Sequence, residues 1–137
     1  LSQIGAAVAE AIAPFVFDHD KSLEFVDHGT PPVTAIPALV ENMLRNLIEN
    51  AVKHNPPGTR IILACGPGPL VAVEDNGKGL VDLPDHNEDL GYVKRSGQLG
   101  LGLKIVRRIS ELHQATVAID TAPDRGTRIS IDFSAAV

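Results

Sequence analysis

Apolar residues recur along this chain with two different periods, and the switches between them lay out the elements. Ile4, Val8, Ala11 and Ile12 fall at helical spacing, with Ser2 placed to cap that helix and Pro14 to end it. Leu23 to Asp27 reads as a strand, followed by a turn at Gly29-Thr-Pro-Pro32. From Pro37 to His54 the helical period returns. Val40, Leu44, Leu47, Ile48 and Ala51 form one apolar stripe, and Asn55-Pro-Pro-Gly58 stops it. Thr59 to Cys65 and Leu70 to Asp75 read as strands joined by a short hairpin-like connection, Gly66-Pro-Gly-Pro69. Residues 76–100 are glycine-rich and acidic, with no period. A stretch of that length inside a compact domain is commonly functional. A helix follows from Leu101 to His113, with Leu101, Ile105, Val106, Ile109 and Leu112 facing inward. Gln114 to Thr121 and Thr127 to Phe133 alternate as strands around Pro123-Asp-Arg-Gly126. Because these last two strands follow one another directly, the pattern predicts an α+β fold, a mixed, mostly antiparallel sheet with helices on one face, rather than a doubly wound parallel sheet.

The chain has 137 residues, enough for one domain. With 44% apolar and 21% charged residues it is neither disordered nor fibrous as a whole. Aromatic residues are few, so Leu, Ile, Val and Ala must supply the core. Cys65 is the single cysteine, which excludes an internal disulfide and a multi-cysteine metal site. No apolar run approaches the ~18 residues of a membrane span. A net charge of -5 argues against a nucleic-acid surface, yet leaves room for a local anion site.

Four segments carry candidate chemistry. On the second helix Asn46, Asn50 and Lys53 lie at i, i+4 and i+7, hence on one face. A carboxamide oxygen suits Mg²⁺, and a lysine one turn on suits phosphate; a solvated polar face is the ordinary alternative. Glu49 and His54 flank the row. Asp75-Asn-Gly-Lys-Gly79 directly follows a strand. A carboxylate there can accept a hydrogen bond from an exocyclic amine, while Gly77 and Gly79 let the backbone approach a flat ring; a plain turn has the same residues. Gly97-Gln-Leu-Gly100-Leu-Gly102-Leu103 opens a helix whose N-terminus favours anions, with Lys94 and Arg95 just before it. Finally, Gly126-Thr127 turns into the last strand.

Taken in order, these segments resemble the ATP-binding fold shared by histidine kinases, gyrase-type topoisomerases and MutL, the Bergerat fold. Within it the chain is most similar to the catalytic and ATP-binding domain of a bacterial sensor histidine kinase. Leu44-Arg-Asn-Leu-Ile-Glu-Asn-Ala-Val-Lys-His54 resembles the N box, Asp75-Asn-Gly-Lys-Gly79 the G1 box, and Gly100-Leu-Gly-Leu103 the G2 box. Ile105-Val106 and Glu111-Leu-His113 also match the helix that follows. The resemblance implies a two-layer α/β sandwich over residues 1–137, with residues 1–36 as an N-terminal helix and strand and a lid at about 80–99. It implies ATP and Mg²⁺ as cofactors. Asn50 would hold Mg²⁺, Asn46 and Lys53 would contact phosphates, and His54 would pack near the nucleotide. Asp75 would bond the adenine amine in a pocket shaped by Gly77 and Gly79. Gly100 and Gly102 would be the hinge where the lid closes on the triphosphate, Leu101 and Leu103 would join them in binding the nucleotide, and Thr127 would support Asp75.

Phosphoryl would pass from ATP to a histidine on a separate dimerisation domain and then to a response regulator. None of the five histidines stands in an acceptor-like context, so the chain is expected to be a piece of a longer kinase. The resemblance further implies a cytoplasmic domain of a membrane-anchored receptor, itself monomeric and without nucleic-acid or membrane contact, in a homodimeric parent. Hydrolysing relatives carry a glutamate where Asn46 stands; an amide is no general base, which favours transfer over hydrolysis. The family's phenylalanine-containing lid motif has no counterpart in 81–99, where Tyr92 is the one aromatic stand-in. Two other readings remain open on sequence: an anti-sigma-type serine kinase and a non-catalytic scaffold of the same fold.

Overall fold

The computed structural model describes residues 1–77, 97–122 and 125–137, with 97–102 described by backbone alone. Five strands form one sheet in the order β1-β2-β3-β5-β4. They are β1 (Ser22–Asp27), β2 (Arg60–Cys65), β3 (Leu70–Asp75), β4 (Thr116–Ala122) and β5 (Gly126–Asp132). β1 and β2 are parallel, which requires a crossover, and the helix α2 (Pro37–Lys53) supplies it. The other three pairings are antiparallel. Three helices, α1 (Ser2–Asp18), α2 and α3 (Gly97–Leu112), lie side by side on one face, α1 over β1 and β2, α2 over β2 and β3, α3 beside β4. This is the expected two-layer α+β architecture.

The core sits between the layers. Alternate strand residues Ile61, Leu63, Val71, Val73, Ile129 and Ile131 meet Val40, Leu44, Leu47 and Ile48 of α2 and Leu103, Val106 and Ile109 of α3. All five residues of the anticipated α2 stripe are buried. Among the described residues, no helix is long and apolar enough to cross a membrane.

Local expectations needed correction at both flanking helices. Pro14 does not end α1, which runs on to Asp18. Proline removes one backbone bond, but Pro14 and Glu10 both lie on the exposed face, where the orphaned carbonyl meets water, and the buried row Val8, Ile12, Val16 carries packing across the break. Ala11 is exposed. Ser2 is not the cap but the first helical residue; its hydroxyl instead donates to Asp27 at 2.8 Å. On α3, Leu112 is 56% exposed and His113 takes the inward place. The helix also starts at Gly97 rather than Leu101, so Gly100 and Gly102 lie within its first two turns.

Candidate functional site

The sheet register sets Leu23, Ile61, Asp75, Thr127 and Thr121 side by side in one row across all five strands. Its apolar half belongs to the core. Its polar half, at the ends of β3, β5 and β4, is where a half-buried carboxylate comes to lie. Asp75 accepts the Gly77 N–H at Oδ1 over 2.9 Å, and the Asn55 side chain and the Thr127 N–H also donate to it. Burial nonetheless holds its pKa above the ordinary value, with the Glu74 charge adding to the rise. Desolvation thus outweighs the three donors found among the described residues, and the carboxylate stays costly to ionise.

Two glycines fix this geometry. A methyl group at 77 would overlap the Asn55 carboxamide oxygen. At Gly126, φ is +94° and a methyl group would overlap the Asp75 carbonyl oxygen, so only glycine lets β5 start this close to the end of β3. Thr127 is buried, as its assignment needs, but its support for Asp75 comes from the backbone N–H. Its hydroxyl lies 3.0 Å from that of Thr121.

The α2 row divides by depth. Lys53 is exposed, Asn46 half-buried and Asn50 buried. The Asn46 amide donates back to the Asn42 carbonyl and carboxamide oxygens, both at 2.8 Å. Asn50 Nδ2 is buried without a hydrogen-bond partner among the described residues. Since amide oxygen and nitrogen exchange places by a half-turn, one edge of this carboxamide is unsatisfied either way. Leaving it so costs about 1–3 kcal/mol, more than a stability-optimised helix would retain. The donor set therefore fits a metal–phosphate group. Among the described residues no cluster of three His, Cys, Asp or Glu side chains is placed to hold a metal ion, so an ion at Asn50 would draw its remaining ligands from phosphate and water. Glu49 is half-buried beside this row, and His54 caps α2, its N–H bonded to the Asn50 carbonyl. Burial lowers the His54 pKa, with Lys53 adding to the effect.

Leu103 is buried in the core. Gly79, Lys94, Arg95, Tyr92 and the anticipated lid lie outside the described residues, as do the surroundings of Gly100, Leu101 and Gly102. Two contributors escaped the sequence reading. Asn55 looked like a helix terminator and Thr121 like a strand residue. The register reveals what Thr121 touches, and the packing of the α2 end against β3 what Asn55 touches. His113 proves structural: Nδ1 donates to the Ile109 carbonyl at 2.8 Å and Nε2 accepts the Ile36 N–H at 2.9 Å, which pins the far end of α3 to the start of α2.

Residues 35–137 match the family model described as "Histidine kinase-, DNA gyrase B-, and HSP90-like ATPase". The chain is 38% identical over 96 residues to the sensor protein BasS of Salmonella typhimurium, covering 66% of this chain and 27% of that protein. It is 32% identical over 149 residues to the sensor protein IrlS of Burkholderia pseudomallei, covering 95% of this chain and 31% of the relative. The chain thus spans under a third of these relatives. Among solved structures, the catalytic domain of histidine kinase ThkA superposes with a TM-score of 0.74 at 17% identity, covering 94% of this chain and 88% of that one. The cytoplasmic segment of histidine kinase QseC gives 0.70 at 21% identity, covering 95% and 68%. These two likenesses concern the fold. The buried carboxamide on α2, the partly desolvated carboxylate ending β3 and the match over residues 35–137 converge: this chain belongs to the histidine kinase-, DNA gyrase B- and HSP90-like ATPase family.

Proposed function

We propose that the domain binds ATP with the adenine on Asp75 and the triphosphate towards α2, and delivers the γ-phosphoryl group to a histidine on a separate domain of the same protein. The observation that carries this reading is Asp75: a carboxylate desolvated at the end of a central strand, gripped by three N–H donors, with an oxygen edge suited to an exocyclic amine. Guanine presents a carbonyl at that place and would meet the carboxylate as acceptor against acceptor.

Asn50 would hold Mg²⁺, which supplies charge neutralisation on the phosphates when bound. Asn46 offers amide contacts, and Lys53, exposed at the end of α2, offers a mobile point charge to the phosphoryl oxygens. His54 borders the same end, Leu103 anchors α3 in the core, Gly100 and Gly102 take the hinge role, and Leu101 joins them at the nucleotide. With an amide at 46, no carboxylate occupies the place from which hydrolysing relatives activate water, so the residues favour transfer to a presented nucleophile. The receiving histidine would pass the phosphoryl group on to an aspartate of a response regulator. The parent would be a homodimeric, membrane-anchored receptor with this domain in the cytoplasm.

Calorimetry tests the pocket. ATP should bind with Mg²⁺ dependence and GTP should not, and Asn50→Ala should lose the Mg²⁺-dependent part. Equal affinity for ATP and GTP, or unchanged Mg·ATP binding in that variant, would refute the assignments.

A further inference from the structure

Asn55 lies two residues beyond α2, and its side chain ties three things together. Nδ2 donates to the Ala51 carbonyl at 2.8 Å, one of the last-turn carbonyls that a helix end leaves without an internal partner. The same side chain donates to the Asp75 carboxylate. Its oxygen lies where a Cβ at 77 would go, so a larger residue there would have to push the Asn55 carboxamide aside. A carboxamide is the small side chain with two donors and an acceptor in one plane. Aspartate would set a second negative charge against Asp75, and serine has one donor for two acceptors.

We infer that Asn55 is a positioning residue for nucleotide binding: it locks the end of the metal-side helix to the adenine-side carboxylate and so holds Asp75 in one orientation towards the purine. This rests on the adenine reading of Asp75 given above. Of the three groups that grip the carboxylate, two are backbone N–H groups fixed by the fold, at Gly77 and Thr127. Asn55 is the one grip that comes from another layer of the molecule. It passes the placement of Ala51, next to Asn50, directly to Asp75.

The test is a double-mutant cycle of Asn55→Ala and Asp75→Asn, read by ATP calorimetry and by NMR titration of the Asp75 carboxyl, with Asn55→Ser as the milder variant and thermal unfolding to verify folding. Asn55→Ala should weaken ATP binding about tenfold, the worth of one hydrogen bond to a charged group, and Asn55→Ser by less. In the Asp75→Asn background, Asn55→Ala should add little. The Asp75 titration should move up in Asn55→Ala, since a donor is lost while Glu74, which pushes it the same way, is unchanged. An unmoved titration, or the same loss of affinity in both backgrounds, would overturn the positioning role and leave Asn55 a helix terminator. Loss of ATP binding in Asp75→Asn with none in Asn55→Ala sinks this inference alone. Wild-type affinity in Asp75→Asn removes the adenine reading and the inference with it.

Discussion

Asp27 and Asp75 end two strands of the same sheet with the same local chemistry. Each is followed two residues later by a glycine whose N–H donates to the aspartate Oδ1, at 2.9 Å in both cases. Yet Asp27 titrates below the ordinary value, through the Gly29 N–H and the Ser2 hydroxyl, and Asp75 above it, through burial. The cause is position. β1 is an edge strand and Asp27 is exposed; β3 is central, flanked by β2 and β5, and α2 covers it. The edge carboxylate is satisfied by water and a turn. The central one has lost part of its water and, even with three donors among the described residues, titrates above the ordinary value. An aspartate–glycine turn is thus not a site until the sheet desolvates it.

The glycines beside these two carboxylates should separate most sharply. Gly29 has φ +89° with open space where a Cβ would go, whereas Gly126, φ +94°, faces the Asp75 carbonyl. Gly29→Ala should cost only the left-handed penalty of about 1–2 kcal/mol. Gly126→Ala adds a collision with backbone that cannot swing aside, so β5 must withdraw from β3, and a loss of about 3 kcal/mol or more is expected. Chemical denaturation of both variants measures this; equal losses would mean that the close approach at Asp75 is unimportant to the fold.

Exchanging the carboxylates themselves comes next. Asp75→Asn should lower ATP affinity roughly 100-fold, as expected where a charge-assisted hydrogen bond becomes a mispaired one, while its thermal stability at neutral pH stays at or above that of the parent, because an ionised desolvated group has been removed. Asp27→Asn should leave ATP affinity unchanged. A shared response of the two variants in the calorimeter would erase the distinction drawn from burial.

Much of this was legible in the sequence. The α2 stripe is strictly periodic, and its five apolar residues are all buried. β3 runs over Leu70–Asp75, the expected bounds. The order of the polar segments pointed to the nucleotide fold because glycine, amide and carboxylate spacing is a linear property. What stayed hidden depends on neighbours distant in sequence. Pro14 reads as a stop unless the packing of Val8, Ile12 and Val16 is known. Leu112 and His113 exchange places because a buried imidazole bonded at both nitrogens outweighs one leucine at a helix end. Thr121 acquires meaning only once β4 and β5 come into register, and Asn55 only once the end of α2 meets the end of β3.

The smallest expected effect is the acid dependence of stability, where the two aspartates should act with opposite sign. The folded state depresses the Asp27 pKa below 3.8, so its ionised form stabilises the fold above that value, and the contribution is lost as pH falls through the folded-state pKa. For Asp75 the folded-state pKa is raised above 3.8, so the fold favours the protonated form. That contribution is complete below 3.8 and disappears as pH rises through the folded-state value. Acidification therefore removes stability at one strand end and restores it at the other. Denaturation followed downward from neutral pH should show a shallower acid loss in Asp27→Asn than in the parent, and a steeper one in Asp75→Asn, which lacks the offsetting gain. His54 adds a separate fall that begins near 6.5, because its depressed pKa makes the neutral form the stabilising one, and it is common to both variants. If Asp75→Asn instead flattened the acid limb, the carboxylate would have to be stabilised in its charged form by the free protein, and its desolvation could no longer be what draws in the adenine.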